Sequence, residues 1–346
     1  MEFPDLGEDI SSAISLFGSA IVLVGITAFL SLWVRRANED ELEGKRATPM
    51  GLYIVFGAFG FFLFLYGLGS AYREWRSGNS PDDVSYLALA IGVIAGLTLI
   101  PPLRRMLAKV IPFDPKAWSD TIGLFLLASI VALSSVALFV ESDEQEPATY
   151  LVLVVTAVAE VALAFVIVGA PFYRTVKQAV KRLGLTMPTL KETGIAVGLV
   201  FVAFAISATS SILVSVLQPD LYDRINENLG TMTSGIDSWW GALILGLCAG
   251  IGEEVLFRGA IQPKYGIIVT AIVFAVLHQQ YGASFVTVGV FAVGILFGLE
   301  RKYVSTTACI ITHAIYNTIA ILAAQATEGS DAGAVDLLQA VVGWIG

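Results

Sequence analysis

Residues 193–217 read TGIAVGLVFVAFAISATSSILVSVL, an unbroken run without a single Asp, Glu, Lys, Arg or His. Coiled as a helix rising ~1.5 Å per residue, it is longer than the ~30 Å hydrocarbon core of a bilayer. A helix on the surface of a soluble domain needs a polar face, and this one has none. Comparable runs recur at residues 11–34, 50–72, 84–101, 119–140, 148–172, 238–258, 266–282, 284–300 and 304–325. The expected fold class is therefore all-α, a polytopic transmembrane helical bundle of about ten spans. Composition agrees, with 56% hydrophobic and 14% charged residues and a mean hydropathy of +0.78, far above the ordinary globular range.

The chain divides into residues 1–189, an N-terminal region of about five spans and unassigned role, residues 190–330, a second region of about five spans, and residues 331–346. In that last segment Val335, Leu338, Val342 and Ile345 share one face of an amphipathic helix. Residues 173–184 form a basic amphipathic stretch suited to lipid headgroups. The first apolar run follows Glu2, Asp5, Glu8 and Asp9 instead of a basic leader, so it reads as a retained span.

The net charge of -9 excludes nucleic acid as a partner, since phosphate binding needs clustered cations. Membrane lipid is the expected environment. The two cysteines, Cys248 and Cys309, lie inside apolar runs, which excludes a secreted disulfide framework.

Cations collect in alternate loops: Arg35, Arg36, Lys45 and Arg46; Arg104, Arg105 and Lys109; Arg174, Lys177, Lys181 and Arg182; Arg258 and Lys264; Arg301 and Lys302. Cytoplasmic loops are the ones enriched in Lys and Arg. With acidic loops opposite, the loop holding Arg73 and Arg76 being the mild exception, this places both termini outside, in an integral protein of the plasma membrane. Trp239 and Trp240 fit an interfacial aromatic belt.

Ionisable side chains within spans are expensive and point to function. Glu253 and Glu254 lie side by side near the cytoplasmic end of one span, and successive helical residues point ~100° apart. Glu254 and Arg258 have the i, i+4 spacing of an intrahelical ion pair, leaving Glu253 facing elsewhere. The chain's two histidines are His278 and His313. Phe274 and His278 share one helical face, as do His313 and Asn317. Counted from the span ends, Glu253 lies shallower than either histidine, so their meeting requires the span to continue past Arg258 or its successor to start lower. Glu160 is the other intramembrane acid, read as hydrogen-bonded to a neighbouring helix in preference to an ion pathway. A metal-ligand face formed by Cys309, His313 and Asn317 is the less favoured reading of those residues, with Cys309 as packing preferred.

Glu253-Glu254-x-x-x-Arg258, Phe274-x-x-x-His278 and His313-x-x-x-Asn317 together resemble the motifs of the CAAX prenyl protease and bacteriocin-processing (CPBP, Abi) family of intramembrane glutamic endopeptidases. The resemblance covers residues 236–325 and extends towards residue 190; the first five spans resemble nothing recognised. It implies that region 190–330 is a peptidase domain opening towards the cytoplasm, acting on a membrane-associated peptide or protein substrate, prenylated or not. By position, it implies that Glu253 is the general base for a water held with His278. His313 and Asn317 would stabilise the oxyanion, and Glu254 and Arg258 would support the site. No cofactor is expected, with zinc the remaining candidate. The alternatives are a non-catalytic membrane adaptor or immunity protein keeping the residues as a polar cluster, and an ion-coupled transporter using Glu160 and Glu253.

Overall fold

The computed structural model describes residues 6–138, 147–236 and 238–327, and these are helical with no strand among them. The helices are α1 (Leu6–Leu42), α2 (Ala47–Arg76), α3 (Asp83–Leu99), α4 (Pro101–Leu107), α5 (Trp118–Ala137), α6 (Tyr150–Ile167), α7 (Val176–Leu183), α8 (Leu190–Leu217), α9 (Pro219–Thr233), α10 (Trp239–Glu253), α11 (Gln262–Leu277), α12 (Phe285–Tyr303) and α13 (Thr306–Thr327). Glu254–Ile261 form a π-helical turn joining α10 to α11. The expected C-terminal helix over 332–346 and the acidic loop 141–146 lie outside the described residues.

Seven helices are long and apolar enough to cross a membrane, or eight if the bent pair α3–α4 is one span. That is fewer than the ten expected, for three physical reasons. The run 84–101 ends at Ile100, where Pro101 and Pro102 start a new helix at 90°, as proline does at a first turn. Runs 238–258 and 266–282 are one continuous stretch, Trp239–Leu277, bent at Gly266 with φ +81°. The run 284–300 is α12, whose last turn carries Glu300, Arg301 and Lys302 and so falls short of a clean apolar span. Large apolar side chains such as Phe62 (67%) and Phe201 (72%) lie exposed along the outer faces, a surface that only lipid tolerates.

The buried core has three parts. α1, α2, α3 and α5 enclose Leu52, Phe56, Trp118 and Phe125. α6, α7 and the π-turn enclose Ala164, Leu183 and Val255. The largest part joins α8 to α13, with Phe257, Phe274 and Phe297 at its centre and Leu124 and Leu127 of α5 reaching into it. Without a hydrophobic driving force between helices in lipid, close packing rests on small residues. Gly250 of α10 illustrates it: a Cβ there would stand 3.0 Å from both Ala314 N and Ile310 O of α13.

The basic segments gather at one end. Trp118 donates its backbone N–H to Asn38 and its indole N–H to Glu41, and Lys264 pairs with Asp120. Thr306 donates to the Leu183 carbonyl, and Thr307 accepts from the Thr186 N–H. Residues 176–183 do form the amphipathic helix expected, closed at its start by a Thr175–Gln178 capping box. At the other end Ala148 bonds to Met232, Gln218 spans to Ala283 and Phe285, and Trp239 stacks on Trp240 with ring centroids 3.7 Å apart. Helix α9, where an acidic loop was expected, starts with Pro219 at its first turn and buries Ile225 and Leu229.

Candidate functional site

The helix started by α10 does not stop at the glutamates. It continues through the π-turn to Gln262 and then α11, the first of the two arrangements that the depths of the polar residues left open. π-Turns often mark functional positions because they re-aim side chains. Glu254 and Arg258 lie within this one.

Their expected ion pair is present, Glu254 Oε2 to Arg258 Nε at 3.2 Å, with both side chains fully buried. Arg258 is therefore no loop cation. Its charge is tolerated in the span because a carboxylate faces it and two aromatic rings cover it, Phe274 at 4.7 Å and Phe297 at 5.8 Å, an arrangement favouring a guanidinium. The Nη1 and Nη2 atoms have no hydrogen-bond partner among the described residues. The second oxygen of Glu254 lies 2.9 Å from His313 Nδ1, so one carboxylate ties the π-turn to α13.

His278 caps α11, with φ -85° and ψ 53°, and thus sits at the helix end, where a place within the helix was expected. Its Nδ1 lies 2.7 Å from the Phe274 carbonyl. A carbonyl only accepts, so Nδ1 carries the proton and Nε2 of the neutral ring is an acceptor. The Phe274 ring lies against it, tilted, with centroids 4.6 Å apart, as the i, i+4 spacing implied.

His278, His313 and Asn317 converge on one cavity, whose other walls are Phe274, Tyr281, Val290, Val293, Phe297 and Tyr316. Its volume, about 20 Å³ by the centre of a water-sized sphere, is room for a water molecule. Asn317 is 1% exposed, yet neither its Oδ1 nor its Nδ2 has a hydrogen-bond partner among the described residues. A buried, unpartnered amide is costly and is explained when something else bonds to it.

Glu253 does not line this cavity, and its Oε2 is buried without a partner. Its charge reaches Tyr281, which does line the cavity. Glu160 of α6 stands against the preceding residue, packed so closely that a Cβ on Gly252 would overlap its Oε2. Glu160 makes no hydrogen bond to another described residue, so the expected bond to a neighbouring helix is not among those present.

Sequence reasoning missed Glu300. It is 3% exposed, accepts from Thr312 Oγ1 at 2.7 Å and leaves Oε2 unpartnered. Next to Arg301 and Lys302 it reads as the charged end of a span, and no local signal marks it as buried. Tyr316, which donates to or accepts from Ser207 at 2.7 Å, was missed as an ordinary aromatic. Cys309 is buried and directs its thiol to the Phe297 and Ser305 carbonyls. Among the described residues no three His, Cys, Asp or Glu side chains are grouped to hold a metal ion.

Residues 235–319 match the family model described as type II CAAX prenyl endopeptidase Rce1-like. The match contains all six candidate site residues and leaves residues 1–234 outside it. No curated protein and no solved structure matches the chain.

Proposed function

We propose, from the premise that residues 235–319 form an Rce1-like domain of the CAAX-protease type, that this membrane protein hydrolyses a peptide bond in a membrane-associated substrate. The observation that carries the reading is the convergence of His278, His313 and the unpartnered Asn317 amide on one small cavity.

The residues support a glutamate-activated water. Glu253 removes a proton from water that His278 Nε2 orients by accepting its other hydrogen, and the oxygen attacks the scissile carbonyl. The Asn317 N–H then donates to the oxyanion. His313 donates there only from Nε2. With Nδ1–H given to Glu254, that donation needs the doubly protonated ring, for which Glu254 is the counter-charge. As the C–N bond breaks, the proton held on Glu253 passes to the leaving amine, which restores the carboxylate. Arg258 fixes Glu254 and so, at one remove, His313.

The cation-rich loops at one end of the bundle support an opening towards the cytoplasm. The experiment is proteolysis in reconstituted vesicles, with matched prenylated and unprenylated membrane-anchored peptides and product masses read directly. Cleavage by the native chain that vanishes in Glu253→Ala is expected. Cleavage that persists in the variant would overturn the assignment of the base, and a properly inserted native chain that cuts neither peptide class would favour a binding-only adaptor.

A further inference from the structure

Three arginines come from separate segments at the basic end of the bundle, and one of them, Arg301, reaches the end of α7 that carries another, Arg182. Arg174 stands between α6 and α7, Arg182 in the last turn of α7 and Arg301 in the last turn of α12, each half-buried. The Arg301 guanidinium lies against Gly184, the left-handed residue that closes α7, and its Nε donates to the Arg258 carbonyl at 3.2 Å. Arg174 donates Nη1 to the Val168 carbonyl and lies against Tyr173, whose ring also receives Arg35 at 4.6 Å.

This gathering is electrostatically uphill. Burial first, then the nearby Arg174 and Arg301 charges, pull Arg182 below its ordinary range. Among the described residues none of the three is in an ion pair. Asp120, the acid that acts on Arg182, is already engaged by Lys264. A cation or two near the end of α7 would complement its helix dipole, but an eight-residue helix does not balance three. Beside the cluster, Phe172, Val176 and Met187 are exposed, so an apolar rim adjoins the positive charge. A phosphate joined to an acyl chain satisfies both features, whereas a free anion satisfies only the first.

We propose that Arg174, Arg182 and Arg301 bind the phosphate headgroup of an anionic membrane lipid, with Phe172, Val176 and Met187 against its acyl chain. Because Arg301 also holds the Arg258 carbonyl, the bound lipid steadies the π-turn that carries Glu254.

The test is native mass spectrometry of the full chain released from mixed micelles holding equal phosphatidylglycerol and phosphatidylcholine. The native chain should retain phosphatidylglycerol. Replacing all three arginines with glutamine should cost roughly fivefold in preference per residue, on the order of 100-fold together. The Arg174→Lys, Arg182→Lys, Arg301→Lys chain should keep most of the preference, which separates loss of charge from loss of fold. Arg73→Gln with Arg76→Gln, exposed at the opposite end, should leave it unchanged. Equal retention of the two lipids by the native chain, or an unchanged preference in the glutamine variant, would overturn the proposal. Displacement of the lipid by glycerol phosphate at matched concentration would reassign the site to a small anion.

Discussion

Replacing Glu254 with leucine should destabilise the fold more than replacing Arg258 with methionine, although the two residues form one ion pair. At 3.2 Å and an effective dielectric of about 20, the gross attraction is roughly 5 kcal/mol, most of it offset by desolvation. What a single substitution exposes is the charge left behind, and breaking a buried pair from one side costs about 3–5 kcal/mol. Glu254→Leu strands Arg258, which has two aromatic rings but, among the described residues, no other carboxylate in an ion pair with it. Arg258→Met leaves Glu254 still bonded to His313 at 2.9 Å, so its cost should stay near about 1–3 kcal/mol. The double variant removes both charges and should fall short of the summed single costs by about 2 kcal/mol or more. Reversible unfolding in mixed micelles, followed by tryptophan fluorescence and helicity, measures all four corners. Additive costs, or Arg258→Met as the more damaging single change, would refute the reasoning.

Asn317→Leu should leave unfolding nearly unchanged, since the buried amide has no partner to lose among the described residues, while peptide cleavage falls about 100-fold to 1000-fold; a loss of stability in step with activity would mark Asn317 as structural. Cys309→Ala should cleave within a few-fold of the native rate, measured with and without a chelator, because the thiol faces the Phe297 and Ser305 carbonyls and does not line the cavity. Gly246→Ala should destabilise by about 1–3 kcal/mol, for its Cβ would overlap Thr318 Oγ1 and come within 2.6 Å of the Ala314 carbonyl. Gly194→Ala, where a Cβ meets nothing within 4 Å, is the control and should be neutral or stabilising by up to about 1 kcal/mol.

The membrane class was legible because bilayer thickness imposes a length on every span, and the run 193–217 meets it unaided. The Glu254–Arg258 pair and the Phe274–His278 ring contact were legible because helical spacing sets which side chains meet. That same spacing concealed the π-turn, which tertiary packing imposes and no propensity announces. Arg258 was misplaced and Glu300 passed over for a shared reason: charge beside an apolar run normally marks its end, yet here Glu254 with the Phe274 and Phe297 rings keeps Arg258 buried, and Thr312 of α13 bonds the buried Glu300. The bend after Leu99 was the more readable failure, since Pro101 and Pro102 stand in the sequence. The position of Glu160 against Gly252 was beyond reach, because it depends on how α6 and α10 pack and leaves no periodic trace in either.

The central claim is that Glu253, His278, His313 and Asn317 act as one hydrolytic centre, and non-additivity of their removal tests it most directly. The measurement is the single-turnover cleavage rate of a membrane-anchored peptide by the native chain, by Glu253→Gln, by His278→Ala and by the double variant. Each single change should slow cleavage by about 100-fold to 10,000-fold, and the double should be scarcely slower than the worse single, because base and water-holder serve one step. A double-variant loss equal to the product of the single losses would contradict a shared centre.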